Sequence, residues 1–244
     1  MISVIIPSYN HAKALKGCVE SLAAQTRLPD EVLIIDDGST DNTEEAVKQY
    51  LIDPRFKSLS CSYRRIAHSG APKARNIGAQ LAKGEYLIFL DADIIAKSTM
   101  LEKYLTALQS HPETFYVYAS HRFGRKLIRS RPFDVAALRR QNYIHTSALI
   151  RRAAYCGFDE SLVRFQDWDL WLTMAEQGHY GLFVDAVLFR ARNVFLRRGI
   201  SSWRPRLCYP LSAWLLRHFG WAPRWYRAYA SARQRIIEKH QLPL

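Results

Sequence analysis

Hydrophobic and polar positions follow two rhythms in the first half of the chain, one typical of strands and one typical of helices. Short runs rich in β-branched and aromatic residues predict strands at residues 2–7, 31–35 and 86–90. Between the first two runs, apolar side chains recur at helical spacing, at Leu15, Cys18, Val19 and Leu22. Strands that alternate with helices predict βαβ units and a mostly parallel sheet.

Further helices and strands are predicted from capping residues and from periodicity. Asp41 and Glu44 have the spacing of a capping box that opens a second helix, Pro72 suits the first turn of a third, and Gly84 suits its C-terminal end. In the second half, we predict helices at 101–108 and 167–177, strands at 145–150, 182–184 and 187–189, and a loop followed by a helix at 121–142. After residue 197, two amphipathic helical stretches are separated by Gly220 and Pro223.

The composition allows one large domain with a helical appendage, since 48% of the 244 residues are hydrophobic. We expect no transmembrane helix, because no apolar run reaches about 18 residues, and no signal peptide, because no basic segment precedes the first apolar run. The cysteines (Cys18, Cys61, Cys156, Cys208) are far apart, so neither a metal cluster nor a disulfide framework is expected, and a reducing cytoplasm fits.

The formal net charge of +13 is concentrated in two segments. Residues 121–152 carry +8 and residues 197–244 carry +9, whereas the remainder sums to −4. We expect anionic partners near these segments, and a solvated basic surface explains the same pattern equally well.

Polar clusters follow three of the predicted strands, at 7–10, 36–41 and 91–93. Ligands of open α/β sheets bind beyond the carboxyl ends of the strands, where the fold can bring the three clusters together. Asp91 and Asp93 can both reach one hard divalent cation, Mg²⁺ or Mn²⁺, which would neutralise a diphosphate leaving group. A helix cap or a solvated loop is the alternative, since chance supplies a second D-x-D at Asp167 and Asp169.

The segment 36–41 combines two adjacent acids with a glycine that permits a tight turn. The acids are unsuited to a phosphate site but suit hydrogen bonds to a nucleoside, whose base N–H and ribose hydroxyls are donors. Capping of the following helix by Ser39 and Asp41 is the alternative interpretation.

Taken together, these segments resemble family 2 glycosyltransferases of the GT-A fold, an α/β fold with a nucleotide-binding sheet that becomes mixed in its second half. The resemblance covers residues 1–185 and runs in order through 4–10, 21–26, 32–41, 70–78, 84–93, 157–160 and 166–171. It implies an enzyme that transfers a sugar from a nucleotide-sugar donor, with Mn²⁺ or Mg²⁺ as cofactor. It also implies a catalytic domain at 1–196, divided into a donor half at 1–98 and an acceptor half at 99–196, and a C-terminal helical extension at 197–244.

The resemblance also implies roles for individual residues. On the donor side, Pro7 and Tyr9 would flank the base, and Asp37 would accept a hydrogen bond from it with Asp36 nearby. Arg75 would lie in the donor-side A-R-N segment. Asp91 would contact the ribose and the metal, and Asp93 would bind the metal. Asp167 would be the general base that deprotonates the acceptor hydroxyl, with Gln166, Trp168 and Asp169 on the acceptor side. One direct displacement, opposite the leaving diphosphate, inverts the anomeric configuration.

Two positions depart from the family pattern. Gln166 stands where the family has a glutamate before the base, and Arg192 stands where many relatives have a histidine near the diphosphate or the metal. An arginine cannot ligate a cation but can pair with phosphate through two hydrogen bonds. We therefore expect weak metal affinity, with Arg192 sharing the stabilisation of the leaving group.

The C-terminal extension interleaves aromatic residues with arginines, including Trp203, Trp214, Trp221 and Trp225. Such helices suit the headgroup region of an anionic membrane, so the acceptor is expected to be a saccharide or a lipid-linked saccharide, and the enzyme a cytoplasmic protein peripheral to the inner face. Packing of the aromatic residues on the catalytic domain is the alternative. Nucleic acid is not expected as a partner, because no nucleic-acid-binding motif accompanies the charge.

Two other functions compete with sugar transfer to an acceptor. A sugar nucleotidyltransferase would need a glycine-rich, lysine-bearing loop near the N-terminus, which 7–13 lacks. A non-catalytic scaffold on the same fold, associated with a membrane, would not need to retain Asp37, Asp91, Asp93 and Asp167. A Rossmann dehydrogenase would carry G-x-G-x-x-G after the first strand, and none is present.

Overall fold

The computed structural model describes residues 1–191, 208–219 and 221–243. Its helices are α1 (Ala12–Ala23), α2 (Thr43–Ile52), α3 (Ala71–Leu81), α4 (Met100–Ser110), α5 (Val135–Arg140), α6 (Gln166–Glu176), α7 (Cys208–Phe219) and α8 (Arg224–Lys239). Its strands are β1 (Ile2–Ser8), β2 (Glu31–Asp36), β3 (Cys61–Arg65), β4 (Tyr86–Phe89), β5 (Ile94–Ala96), β6 (Tyr116–Phe123), β7 (Lys126–Ile128), β8 (Leu149–Arg151) and β9 (Gly181–Ala191).

Within these residues the strands form one nine-stranded sheet in the order β3–β2–β1–β4–β8–β6–β9–β5, with β7 paired to β6. The strands β3, β2, β1 and β4 are parallel to one another, β8 is antiparallel to both of its neighbours, and β5 is antiparallel to β9. The sheet is therefore parallel in the first half of the chain and mixed in the second, which confirms the predicted α/β class.

The register of the parallel strands brings their carboxyl ends to one edge of the sheet. Ser8 of β1 pairs with Asp36 of β2, and Ile5 of β1 pairs with Phe89 of β4. The segments that follow these strands therefore leave the sheet on the same side and border one crevice.

Hydrophobic side chains cover both faces of the sheet. One core packs α1, α2 and α4 on one face, with Leu15 and Leu101 fully buried. The other core packs α3, α5, α6 and the end of α8 on the opposite face, with Trp171 and Ile236 fully buried. Burial on both faces explains why successive positions of β1 and β4 do not alternate between apolar and polar residues.

Three predicted elements differ from the structure. The strand predicted at 145–150 is confined to Leu149–Arg151, the length over which β8 pairs with β4. The segment 121–142 contains the β6–β7 hairpin before α5, not a loop followed by a helix. The runs at 182–184 and 187–189 belong to the single strand β9, whose pairing with β6 is interrupted by an irregularity.

Two boundary signals also act differently from the prediction. Gly84 lies beyond α3, which ends at Leu81, and a Cβ on Gly84 would approach Ser3 Oγ to 2.4 Å. Gly84 is therefore required for close packing against β1 and does not end the helix. The backbone N–H of Asp41 donates to a side chain in the loop after β1 and not to Glu44, so the two do not form a reciprocal capping box.

The end of α8 is part of the folded body. Ile236 and Leu242 are buried in the same core as α6. Asp169 of α6 accepts hydrogen bonds from His240 Nε2 at 2.9 Å and from Lys239 Nζ at 2.8 Å. The alternative interpretation, in which the extension packs on the catalytic domain, therefore describes this end of it.

Three apolar side chains in and just after α7 are more exposed. Leu211, Trp214 and Trp221 are each at least half exposed, at 59%, 50% and 55%. No helix among the described residues is both long enough and apolar enough to cross a bilayer. Trp203 and its neighbouring arginines lie outside the described residues.

We predict that Asp169→Asn destabilises the protein by about 3 kcal/mol, because it removes the carboxylate that compensates the buried His240. Burial lowers the pKa of His240, but its hydrogen bonds to Asp169 and Glu176 outweigh burial and raise it. The stabilisation is therefore complete below the pKa of an unfolded histidine and is lost as pH rises through the folded pKa.

Urea unfolding of the wild type and Asp169→Asn between about pH 5 and 9 measures this dependence. Asp185→Asn, which removes an exposed acid, is the matched control. An unchanged pH dependence in Asp169→Asn would contradict the assignment.

Candidate active site

Asn10 holds the loops after β1 and β2 together. Its backbone is left-handed (φ 55°), and its Oδ1 accepts from the amides of Thr40 and Asp41 at 2.8 and 3.1 Å. Gly38 makes the turn after β2 with φ 74°, and a Cβ there would lie 2.9 Å from the backbone nitrogen of His68. The two loops therefore form one wall of the crevice.

Pro7 and Asp36 lie in the strands beneath this wall. Pro7 is buried in β1 and pairs with β2. Asp36 is fully buried, and its two oxygens accept from Ser39 N at 2.8 Å and from Tyr63 Oη at 2.6 Å. Asp36 therefore stabilises the loop from within.

Asp37 contacts His68, which forms a stacked pair with Tyr9 at the edge of the crevice. The amides of Ser69 and Gly70 donate to its two oxygens at 2.7 and 2.9 Å, and His68 Nδ1 lies 2.9 Å from Oδ2. His68 stacks on Tyr9 with ring centroids 4.2 Å apart and planes inclined by 25°. Because Tyr9 is 40% exposed, this pair offers a flat surface to a planar ligand.

Asp91 and Asp93 follow β4 in a turn. Burial raises the pKa of the Cys18 thiol, and the charges of Asp93 and Asp91 raise it further. The carboxylates of Asp91 and Asp93 therefore both lie close enough to the Cys18 thiol to raise its pKa. The side chain of Asp91 keeps 37% of its exposure, so its carboxylate remains accessible from the crevice.

Arg75 of α3 connects the two halves of the crevice. Its Nη2 donates to Asp91 Oδ1 at 2.7 Å, and its Nη1 donates to Gln166 Oε1 at 2.8 Å. The guanidinium also lies over the ring of Phe158, 5.1 Å from its centroid. Withdrawal from water favours a higher pKa for Asp91, but the charge of Arg75, helped by His145, holds the pKa below its usual range.

Asp167 lies in the first turn of α6, partly exposed. Trp168 N donates to its Oδ1 at 2.9 Å, and Asn142 Nδ2 donates to its Oδ2 at 2.7 Å. Burial raises the pKa of Asp167, against the opposing charges of His145 and Arg75. An accessible carboxylate with a raised pKa is a stronger base than an ordinary aspartate.

The start of α6 is fixed by an aromatic residue in an unusual conformation. Phe165 has a left-handed backbone (φ 60°), which is costly for a residue with a side chain. Its ring packs edge-on against Trp168 and against Tyr229 of α8, at 5.9 and 5.4 Å. These contacts hold the turn that presents Asp167.

His145 is a site residue that sequence reasoning missed. Its Nδ1 accepts from Ser147 N at 3.1 Å, so the neutral ring carries its proton on Nε2. The ring packs on Phe189 with centroids 5.0 Å apart. Burial lowers the pKa of His145, while Asp91 and Asp167 oppose this shift, which places the ring within the field of both carboxylates. No motif surrounds His145, so no signal in the sequence distinguished it.

Trp168 and Asp169, which were expected on the acceptor side, are buried and do not border the crevice. Trp168 is buried, and its Nε1 donates to the carbonyl of Leu138 at 2.7 Å. Asp169 is buried against α8. Successive helical residues are rotated by about 100°, so Asp167 borders the crevice while the next two side chains point elsewhere. Gln166, the third, is bonded to Arg75.

The acidic turn after β4 fits a hard divalent cation such as Mg²⁺ or Mn²⁺. Asp91 is accessible and held in its ionised form, and Asp93 is two residues away. Over the described ranges, no group of three or more His, Cys, Asp or Glu side chains could hold a metal. Such a site would be completed by substrate phosphates and water, as is common for Mg²⁺. Arg192 lies outside the described residues, and β9 ends just before it, at Ala191, which pairs with Ile94.

Comparison with known proteins identifies the family. The profile described as Glycosyl transferase family 2 matches residues 3–166. Glycosyltransferase GlyG of Streptococcus pneumoniae serotype 4 is 40% identical over 103 residues, which cover 42% of this chain and 33% of that protein. An Escherichia coli protein named UDP-Glc:alpha-D-GlcNAc-diphosphoundecaprenol beta-1,3-glucosyltransferase WfaP is 25% identical over 185 residues, which cover 73% of this chain and 71% of that one. For several curated relatives the matched region spans only about a third of their length.

Solved structures share the fold. TarS 1-349 of S. aureus in complex with UDP-GlcNAc has a TM-score of 0.68 at 20% identity, covering 98% of this chain and 71% of that one. Mannosyltransferase PcManGT of Pyrobaculum calidifontis in complex with GDP-Man and Mn²⁺ has a TM-score of 0.65 at 22% identity, covering 98% and 72%. The expected GT-A fold is confirmed.

We predict that Arg75→Lys lowers the free energy of unfolding by about 3 kcal/mol, because a compact ammonium lacks the two separate NH₂ groups with which Arg75 bonds Asp91 and Gln166. Gln166→Met, which removes one hydrogen bond, is expected to cost about 1 kcal/mol. A double-mutant cycle by chemical denaturation measures the coupling, with the exposed Arg140→Lys as control. Additive effects of the two substitutions would contradict a shared contact.

Proposed function

The chain belongs to glycosyltransferase family 2, and on that premise we propose that it transfers a sugar from a nucleoside diphosphate sugar to an acceptor hydroxyl with inversion. The observation that carries this proposal is the link from Asp91 through Arg75 to Gln166, the residue before Asp167. This link joins the acidic turn, suited to a donor diphosphate, to the helix start that bears a base.

The wall formed by the loops after β1 and β2 would bind the nucleoside. The exposed Tyr9–His68 pair suits stacking on a base, with Pro7 beneath it. Asp37 would accept from the base, and Asp36 would keep the loop in shape. UDP is the nucleotide we propose, in line with the TarS complexes with UDP and UDP-GlcNAc.

Asp91 and Asp93 would hold Mn²⁺ or Mg²⁺, which would neutralise the diphosphate as it leaves. The Mn²⁺ in the PcManGT complex supports a divalent cation in this fold. Arg192, which lies outside the described residues, would share the stabilisation of the diphosphate.

Asp167 would act as the general base. It takes the proton of the acceptor hydroxyl while the acceptor oxygen forms a bond to the anomeric carbon. The bond from that carbon to the diphosphate breaks on the opposite face, and its electron pair leaves with the nucleoside diphosphate. The raised pKa of Asp167 favours this role, since the base must hold the proton when the new bond forms.

The acceptor we propose is a saccharide or a lipid-linked saccharide of a cell-surface polysaccharide or lipopolysaccharide. The similarity to WfaP, named as a glucosyltransferase for a diphosphoundecaprenol-linked sugar, supports this class. The exposed Leu211, Trp214 and Trp221 would lie at the cytoplasmic membrane surface, close to such an acceptor.

We predict that one nucleoside diphosphate, UDP, binds tightly only with Mn²⁺, and that Asp93→Ala abolishes this Mn²⁺-dependent binding. Calorimetric titration with UDP, GDP, CDP and dTDP, with and without Mn²⁺, measures it. Arg192→Ala is expected to weaken the same diphosphate, and an unchanged affinity would remove Arg192 from the site. If the folded wild type bound none of the four, a scaffold without catalysis would replace the proposal.

We predict that the protein sediments with anionic vesicles at low salt and less at high salt, and that Trp214→Ser with Trp221→Ser lowers the bound fraction several-fold. Ile52→Ser, which removes an apolar side chain that is 82% exposed on α2, is the matched control. Failure of the wild type to sediment at either salt concentration would exclude the membrane surface as a partner.

A further inference from the structure

An irregular segment before β8 lies along the first two turns of α6. Asn142 Nδ2 donates to Asp167 Oδ2 at 2.7 Å. One turn further along α6, Trp171 Nε1 donates to the carbonyl of Ile144 at 3.0 Å. Asp167 and Trp171 are four residues apart and share a helix face, so the segment follows the helix and is bonded to it at two points.

The orientation of the Asn142 amide follows from its partners. The backbone N–H of Ile144 donates to Asn142 Oδ1 at 3.0 Å. An N–H can only donate, so this contact requires the amide oxygen, and the amide nitrogen must face the carboxylate of Asp167. The segment therefore fixes a hydrogen-bond donor against the base.

The carboxylate of Asp167 is held through both oxygens. Trp168 N donates to Oδ1 and Asn142 Nδ2 donates to Oδ2. Each carboxylate oxygen has two lone pairs, so each retains one for an acceptor hydroxyl. Since the side chain of Asp167 is partly exposed, its rotamer would be poorly defined without the contact from Asn142.

We propose that Asn142 is the positioning residue of the catalytic base: its amide orients the carboxylate of Asp167 toward the acceptor hydroxyl. This inference rests on the proposed role of Asp167 as the general base. Asn142 contacts neither the donor wall nor Asp91 in the described residues, so it acts on the acceptor half of the reaction.

The contact also stabilises the ionised form of Asp167. The other titratable or charged groups that act on this carboxylate are His145, from the same segment as Asn142, and Arg75 of α3. Arg75, and His145 when its ring is protonated, oppose the effect of burial, as the hydrogen bond from Asn142 does. Without that amide the carboxylate is a weaker acid, and the ionised base is lost at higher pH.

The substitution Asn142→Asp separates positioning from folding. An aspartate retains an oxygen that accepts from the amide of Ile144, but it presents an acceptor in place of the donor to Asp167. Asn142→Ala removes both contacts. Gln141→Ala, which removes an exposed side-chain amide from the adjacent position, is the matched control.

With a nucleotide-sugar donor and a lipid-linked acceptor analogue, we expect kcat to fall about tenfold in Asn142→Ala and further in Asn142→Asp, while UDP affinity and the donor KM stay at wild-type values. The acid limb of the kcat profile shifts to higher pH in the order wild type, Asn142→Ala, Asn142→Asp. Asp167→Asn abolishes the acid limb and lowers kcat by a factor of about 10² to 10⁴.

A carbon-detected NMR titration of the Asp167 carboxyl provides a readout that does not need turnover. We expect its acid dissociation constant to fall about tenfold in Asn142→Ala and to be unchanged in Gln141→Ala. If Asn142→Asp had wild-type kcat and the same acid limb, or if the Asp167 titration did not move in Asn142→Ala, the inference would be wrong. A wild type inactive with every donor would overturn the proposed function, whereas an active wild type whose Asp167 titration did not move in Asn142→Ala would overturn only the positioning role of Asn142.

Discussion

The contact on which the site depends is the one that Arg75 makes with Asp91 and Gln166. Arg75 is almost fully buried, and the cost of burying a guanidinium is offset where an opposite charge and hydrogen-bond acceptors lie beside it. Asp91 supplies the charge and Gln166 supplies a second acceptor. Because these three residues come from α3, the end of β4 and the start of α6, one side chain fixes the separation between the two parts of the crevice.

Hydrogen bonds from the side chains of α6 connect this contact to the rest of the fold. Asp167 borders the crevice, Trp168 Nε1 donates to the carbonyl of Leu138 in α5, Trp171 Nε1 donates to the carbonyl of Ile144, and Asp169 is bonded to the end of α8. Because neighbouring residues of a helix point in different directions, α6 connects the crevice, the residues before β8 and α8 within about one turn. The end of α8 therefore stabilises α6 on the side away from the crevice, and this role does not depend on whether α7 contacts a membrane.

Much of the fold and part of the site could be predicted from the sequence. The apolar strands β1 and β4 could be predicted because both of their faces are buried. The acidic clusters at the strand ends could be predicted because ligands bind at such edges of α/β sheets. The short strands β5 and β7 could not be predicted, since three residues carry no periodicity. Asn142 and His145 were missed because they are single polar residues in an irregular segment, and only the tertiary structure brings them to Asp167.

The glutamine at position 166 can now be understood through its partner. A glutamate here, as in the family pattern, would share the charge of Arg75 with Asp91 and place a second negative charge beside Asp167. Glutamine keeps the hydrogen bond but leaves the charge of Arg75 to Asp91, which stays ionised. It also removes a like charge that would raise the pKa of Asp167 beyond the effect of burial. Gln166 therefore keeps the hydrogen bond of the motif, and it leaves the positive charge of Arg75 to the carboxylate of Asp91 in the turn after β4.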